Sequence, residues 1–385
     1  MPRRRSPSAP DRDAGAAWFD GWHARGLIEV SDDPAVLDAG GWWAVLVTFE
    51  GECRFWRFAQ VDQVGPVDGM DPGGEPGRGV TAWRGPAPTG WRSSLDRAGY
   101  QRGVEEIRRR IREGDVYQVN LCRILTADLP GDLTADEPGD PWALARRLAA
   151  GNPAPYAGVI DIPQRAGLPR TRVVCASPEL FLERDGDLVR SRPIKGTGAT
   201  EADLLPKDEA ENVMIVDLVR NDLQRVSRAG SVAVPALLAL ERHPGLVHLV
   251  STVEGRLRGD VGWADLLAAT LPPGSVSGAP KSTALQAIRD LEPGPRGPYC
   301  GAVGYVDADR GYARLAVGIR TFWWQDSELR FGTGAGITWG SDPEREWAET
   351  ELKAARLIGL ASDHPRDGRL DAQVSSRATA ASRSR

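Results

Sequence analysis

The sequence predicts an α+β protein built on antiparallel sheets. Three observations carry that prediction. Apolar runs of strand length turn back on themselves around Glu50-Gly51-Glu52 and around Asp185-Gly186, as hairpins do. Strands and helices alternate through the second half, but the pattern as a whole is rich in hairpins, which favours antiparallel sheets over a doubly wound one. Residues 299–340 hold three successive strand-like runs with no helix between them, a likeness of an antiparallel meander and not of a doubly wound sheet. A chain of 385 residues allows one large domain or two medium ones.

In chain order, residues 1–17 and 362–385 are rich in Ser, Ala, Arg and Pro and are expected to be disordered tails. GWWAVLVTFEGECRFWRFAQV gives the first hairpin, and the Gly- and Pro-crowded stretch 64–90 is expected to be a loop. YQRGVEEIRRRIREGD places Val104, Ile107 and Ile111 on one helical face, with Gly114 as the stop. VYQVNLCRILTADL is a strand and PWALARRLAA a helix. RVVCASPELFLERDGDLVRSRPIKG supplies the strands of the second hairpin, and KDEAENVMIVDLVRNDLQRV a long helix. LVHLVSTVEGRL is a strand; WADLLAATL and STALQAIRDLE are helices. YCGAVGYVD, YARLAVGIRTFWWQ and ELRFGTGAGITWG make the meander, after which Ser341-Asp342-Pro343 caps the helix EREWAETELKAARLIGL with Pro at its first position.

Composition narrows the function classes. With 41% hydrophobic and 26% charged residues and a net charge of −5, the chain has no overall basic field, so nucleic acid is not an expected partner. Cys53, Cys122, Cys175 and Cys300 are far apart, without CxxC spacing, and are expected to be reduced thiols of a cytoplasmic protein. The basic N-terminus lacks the apolar stretch of a secretory signal, and no run of about eighteen apolar residues is present to span a membrane.

Two acidic helices draw attention. Asp208 and Glu211 share one helical face, and Glu346 and Glu349 repeat the spacing on another, with Trp347 pointing elsewhere. Glu209 and Glu344 add acid nearby. Acidic pairs at this spacing usually form solvated faces. ENVMIVDLV, however, is apolar on most sides, so a carboxylate within it is partly buried and needs a cation. Acids from two helices make a hard oxygen site suited to Mg²⁺, which keeps waters and accepts substrate oxygens.

Lys195 sits in PIKGT, where Pro193 fixes φ and Gly196 permits close approach of a ligand. Arg190 and Arg192 stand close behind it. Desolvation and like charges would favour a neutral, nucleophilic amine; a surface lysine or a salt bridge is the plain alternative. Glu179, sixteen residues upstream on the neighbouring strand, is within reach as a proton donor. His248 in LVHLVS has the setting of a core histidine. GTGAGITWG lacks the helix and βαβ unit of a dinucleotide site, and PPGSVSGAPKST breaks the phosphate-loop signature, though its turn offers N–H groups to an anion. Cys300 lacks a nucleophile elbow and is expected to be structural.

Together the stretches GDVYQVNLCR (114–123), SPELFLE (177–183), RPIKGT (192–197), KDEAENVMIVDLVRNDL (207–223), VHLVSTVEG (247–255), PPGSVSGAPK (272–281), YCGAVGY (299–305) and GAGITWGSDPEREWAET (334–350) resemble the chorismate-utilising enzymes, in the family's order. Within the family they resemble component I of aminodeoxychorismate synthase, which carries PIKGT with the lysine as nucleophile, where anthranilate synthases carry PIAGT. PPGS departs from the usual double glycine at Pro273. The resemblance implies a single large domain with two mostly antiparallel β-sheets packed as a sandwich and surrounded by helices, like anthranilate synthase component I. Residues 96–361 would be the chorismate-binding catalytic region and 18–95 a weakly matching part of the same domain.

The implied activity converts chorismate and ammonia to 4-amino-4-deoxychorismate, for 4-aminobenzoate and folate; anthranilate synthase component I or another chorismate-utilising enzyme is the alternative. Lys195 would attack C2 while the C4 hydroxyl leaves with a proton from Glu179, and ammonia would then add at C4. Glu211 and Glu349 would hold Mg²⁺, with Asp208 and Glu346 beside them. His248 matches the family's active-site histidine. Ser275, Gly278, Ala279, Tyr305, Arg320, Gly334, Gly336, Gly196 and Thr197 match substrate-binding or pocket positions, Arg320 as a bidentate carboxylate grip. With no glutaminase domain visible, the ammonia would come from a separate glutamine amidotransferase subunit or from solution. No LLES-type stretch is found, so tryptophan control is not expected.

Overall fold

A computed structural model describes residues 15–67, 83–130, 139–164, 169–198, 200–204, 206–243 and 246–363. Four strands open the fold: β1 (Ala16–Phe19), β2 (Trp22–Ser31), β3 (Trp42–Val47) and β4 (Cys53–Gln63). After β5 (Arg92–Ser93), α1 (Arg97–Glu113) leads into β6 (Gln118–Asp128), and α2 (Pro141–Gly151) follows. Five strands come next: β7 (Tyr156–Ile162), β8 (Thr171–Ser177), β9 (Leu180–Asp185), β10 (Leu188–Arg192) and β11 (Ile194–Gly198). Then come α3 (Pro206–Gln224), β12 (Ala233–His243), β13 (Leu246–Arg256), α4 (Trp263–Thr270), β14 (Gly278–Ala279) and α5 (Lys281–Leu291). β15 (Ala302–Asp307), β16 (Tyr312–Val317), β17 (Thr321–Gln325), β18 (Glu328–Ile337) and α6 (Pro343–Ala361) complete the fold.

Every strand pairing among the described residues is antiparallel. One half runs β13–β10–β9–β16–β15–β3–β4. The other runs β2–β1–β7–β8–β17–β18–β6. Pairing of β2 with β4 joins them, so the two sheets expected form one continuous network.

Alternation along the strands shows how the halves pack. Ile160, Val173, Cys175 and Trp323 of the second half share a core with Trp43, Phe55, Leu182 and Leu315 of the first. Their neighbours Val159, Val174, Ala176 and Phe322 point the other way, onto Trp142, Leu144 and Leu148 of α2 and Ala354 and Leu357 of α6. A third cluster seats α1 and α5 on β6 and β18 through Tyr100, Val104, Ile107, Ile288, Leu121 and Ile337. The result is a single sandwich-like domain with helices outside.

The hairpins at 50–52 and 185–186 form as the sequence predicts. Gly114 ends α1 in the left-handed conformation, and Asp342 caps α6 by accepting from the backbone N–H groups of Glu344 and Arg345. The meander is a correction. The chain leaves β16 through Gly318 and Arg320, whose φ of +51° breaks the strand, and β17 pairs with β8 and β18 instead of β16. Residues 299–340 thus contribute one hairpin to each half. Ala16 and Ala17, expected in the tail, belong to β1, and Ser362 is buried at the end of α6. Residues 1–14 and 364–385 of the two tails, and residues 68–82 of the expected loop, lie outside the described residues. The four cysteines are unpaired thiols, Cys122, Cys175 and Cys300 being buried.

Candidate active site

Lys195 owes its placement to a bulge. Ile194 faces Val250 of β13 and Thr197 faces His248, so Lys195 and Gly196 together oppose the single residue Leu249. Gly196 takes φ +83°, and a Cβ there would lie 2.9 Å from Cβ of Asp208. The bulge therefore presses the lysine strand against the start of α3 at a point only glycine fits. The Lys195 Nζ donates to the Ser275 carbonyl at 3.0 Å.

Glu179, between β8 and β9, is buried. Its backbone N–H donates to the Ser177 hydroxyl at 3.2 Å, and its carbonyl accepts from Val317 N–H at 3.0 Å. Burial pushes the Glu179 carboxyl up to about 7, against opposing pulls from the Ser275 hydroxyl, the Lys195 charge and the Ile194 backbone N–H. Ser275 thus touches both candidates, taking the amine at its carbonyl and serving the acid with its hydroxyl. A carboxyl titrating near neutrality beside an amine is the arrangement for acid–base work at neutral pH.

The cationic crowding expected around Lys195 is not what surrounds it. Arg190 pairs with Glu183 at 2.8 Å and with Glu254, and Arg192 pairs with Glu241. The charges that act with Lys195 are carboxylates: Glu179, Glu211 and Glu349 all feel its attraction.

The two acidic helices converge. Burial holds Glu211 above the usual carboxylate range, Lys195 and Lys207 pull it down, and the charges of Asp208 and Glu349 push it up again. Burial likewise raises Glu346, with help from the Glu349 charge and opposition from the Ser341 hydroxyl. For Glu349 burial is outweighed by Lys353, 2.6 Å away, and by Lys207 and Lys195, which leave it low. Glu209 and Glu344 do not join: Glu209 is exposed, and Glu344 turns to Arg97 and Gln101 of α1. Trp347 points away as expected, packing on Tyr100 and under the Arg123 guanidinium.

The glycine-rich strand β18 brings backbone up to this cluster. A Cβ on Gly336 would lie 2.4 Å from Nε2 of Gln118 and 3.7 Å from a Glu211 oxygen. Gln118 itself donates to Glu211 at 3.3 Å. Gly334 backs onto Cys122, and its carbonyl accepts from Lys353 at 3.1 Å. Gly278 and Ala279 form β14 against Val119 and Gln118, which fastens the Ser275 loop to the start of β6. His248 is buried on β13 opposite Thr197.

Arg320 stands at the β16–β17 break, its carbonyl accepting from Ala176 N–H at 3.1 Å. Burial and the Arg356 charge lower its pKa, and no carboxylate among the described residues pairs with it, which suits an anion seat. Tyr305 makes its contacts elsewhere. Its ring stacks on Trp42 at 5.4 Å and on Phe19 at 6.2 Å, and its hydroxyl donates to Asp20. It shares no hydrogen bond or ring contact with the other candidates.

Sequence reasoning missed Lys353 and Gln118. Lys353 was visible as the i+4 partner of Glu349, a spacing that gives ion pairs on a helix. Gln118 lies within the family-like stretch GDVYQVNLCR, but nothing local singled it out, because its contact with Glu211 joins residues 93 positions apart.

The chorismate binding enzyme family matches residues 76–359. The chain is 39% identical over 281 residues to aminodeoxychorismate synthase component 1 of Klebsiella aerogenes, covering 70% of this chain and 59% of that one. It is 38% identical over 283 residues to an anthranilate synthase component 1 of Haloarcula marismortui, covering 70% and 55%. The chain thus spans under two thirds of the length of these relatives. In fold it is similar to anthranilate synthase component I of Streptococcus pneumoniae, with a TM-score of 0.69 at 24% identity over 92% of this chain and 94% of that one. A near-neutral buried carboxyl, a lysine in a glycine bulge and two converging acidic helices lie inside the matched span, and the chain belongs to the chorismate binding enzymes.

Proposed function

We propose that this chorismate-utilising enzyme is an aminodeoxychorismate synthase component I, converting chorismate and ammonia to 4-amino-4-deoxychorismate and water. The observation that carries the reading is the joint hold of Ser275 on Lys195 and Glu179. It puts an amine nucleophile and a proton donor on one residue's two polar groups. Lys195, shorn of its proton, attacks C2 of chorismate. The C4–O bond breaks, and the hydroxyl leaves as water with the Glu179 proton. Ammonia then adds at C4, the C2–N bond breaks, and the amine returns to Lys195 as the double bonds shift back. Arg320 is the proposed seat for a substrate carboxylate, and the backbone of β14, held against β6, and of β18 is the proposed lining.

Among the described residues no three His, Cys or carboxylate side chains converge into a closed metal cage. The acids present suit Mg²⁺ all the same. That ion takes one or two carboxylates, keeps waters and completes its shell with substrate oxygens. Glu211 and Glu349 would hold it, with Asp208 and Glu346 beside them, because burial and the Glu349 charge raise both Glu211 and Glu346, which a cation would offset. Bound there, Mg²⁺ supplies charge for gripping a carboxylate. A glutamine amidotransferase subunit is the proposed ammonia source.

The test incubates the protein with chorismate, Mg²⁺ and ammonium and identifies the product. 4-Amino-4-deoxychorismate is expected. Anthranilate or isochorismate as the main product overturns the assignment.

A further inference from the structure

Arg296 is among the largest fully buried side chains of the protein, 1% exposed, and nothing in the proposed chemistry uses it. Its guanidinium makes a set of contacts that no core-filling role explains. One nitrogen donates to the Val276 carbonyl at 2.8 Å and another to the Asn120 carbonyl at 2.7 Å. The fork also grips Glu292 twice, at 2.8 and 2.6 Å, and the group lies over the Phe49 ring at 4.2 Å. Glu292 in turn accepts the Cys122 backbone N–H at 2.9 Å.

These contacts tie two segments that meet at the site. Val276 directly follows Ser275, the residue that holds Lys195 and Glu179. Asn120 lies two residues along β6 from Gln118, which touches Glu211. Asn120 N–H donates to the Ser277 carbonyl at 2.9 Å, so one more bond ties the same segments. A buried guanidinium is costly to desolvate and is retained only where its planar fork is fully used. Here the fork spans the gap between the Ser275 turn and β6.

We infer that Arg296, locked by Glu292, is a positioning residue: it fixes the Ser275 turn against β6 and so sets Ser275 onto Glu179 and Lys195. The inference rests on the proposed roles of those two residues. Lysine at 296 keeps a charge but cannot serve both carbonyls and Glu292 in one plane. The Ser275 hydroxyl holds the Glu179 carboxyl down, so a loosened turn lets that carboxyl rise further.

The experiment compares wild type with R296K and E292Q, each checked for a cooperative thermal melt. Two readouts follow: chorismate consumption with Mg²⁺ and ammonium over pH, and the Glu179 carboxyl titration by infrared difference, identified by its loss in E179Q. In R296K, kcat is expected to fall by about tenfold or more with KM nearly unchanged. The Glu179 titration is expected to move upward by about one pH unit, carrying the alkaline limb of the rate profile with it. E292Q shifts both readouts in the same direction by less. A folded R296K or E292Q with an unmoved Glu179 titration and wild-type kcat overturns the inference. E292Q alone decides it if R296K does not fold. Wild type that fails to consume chorismate would refute the functional reading instead, and the infrared titration still decides the role of Arg296.

Discussion

The Nζ of Lys195 lies 3.0 Å from the carbonyl oxygen of Ser275, eighty residues along the chain. That carbonyl aims the amine toward the turn whose hydroxyl serves Glu179, so nucleophile and acid are oriented by one residue. Placement of this kind matters more for rate than for stability, since the reacting atoms must meet within a narrow range of angles.

Removing the amine therefore separates binding from chemistry. Lys195→Ala is expected to lower amination by about a thousandfold or more while chorismate binding in the presence of Mg²⁺ changes little. Product formation and equilibrium binding of chorismate to the two proteins check this. Unchanged amination in the variant removes Lys195 from the mechanism.

Glu179 makes activity and stability oppose one another. Its carboxyl is held at about 7 by burial, against 4.5 for an unperturbed glutamate. As an acid it must carry its proton, so kcat/KM is expected to fall as pH rises through about 7. The raised pKa means that the unfolded chain releases this proton from pH 4.5 upward while the folded chain keeps it until about 7. Stability from this group is thus complete below 4.5 and lost as pH rises through 7, at ~1.4 kcal/mol per pH unit. Glu179→Gln should abolish most activity yet melt higher than wild type at pH 8, by an amount that shrinks toward pH 4.5. Equal melting of the two proteins at pH 8 refutes the burial argument.

Much of this was legible in the sequence, and the misses have physical causes. Local signals worked where the determinant is local: Gly114 stopping α1, Asp342 capping α6, the turns at 50–52 and 185–186. The acidic pairs at three-residue spacing pointed to α3 and α6 as partners, and they converge. What failed depended on partners distant in sequence. The crowding of Lys195 by Arg190 and Arg192 looked real along the chain, but Glu183 and Glu241 neutralise them across strands. The break at Arg320, which divides the expected meander between the two halves, shows only in the pairing of β17 with β8. Tyr305 lies in a matching motif, and its hydroxyl bond to Asp20, 285 residues earlier, could not be read from that motif.

Within the acidic cluster, Glu211 should favour the folded state in its ionised form only when a cation offsets its charge. Burial and the charges of Asp208 and Glu349 raise the Glu211 pKa, so its ionised form strains the folded protein at neutral pH. By the same sign as for Glu179, stability is lost as pH rises through the raised value. Glu211→Gln is expected to raise the melting temperature in chelator and to abolish the further rise that Mg²⁺ gives wild type. Melting curves with chelator and with Mg²⁺ check both halves. A variant that melts lower in chelator and still responds fully to Mg²⁺ removes Glu211 from the cluster.

Gly196 tests whether the bulge itself is what arms Lys195. Alanine there meets two obstacles at once: φ of +83° disfavours any side chain, and the added methyl would sit 2.9 Å from Cβ of Asp208. The backbone strain alone is roughly 1–3 kcal/mol. Relief requires either the lysine strand or the start of α3 to move, and each carries candidate site residues. Gly196→Ala should therefore lose both stability and kcat, whereas Gly230→Ala, at a φ of +75° with nothing within 4 Å, should lose stability alone. Comparing denaturation and kcat for the two variants separates strain from site geometry. Equal kcat in both would mean that the contact between Gly196 and Asp208 has no part in placing Lys195.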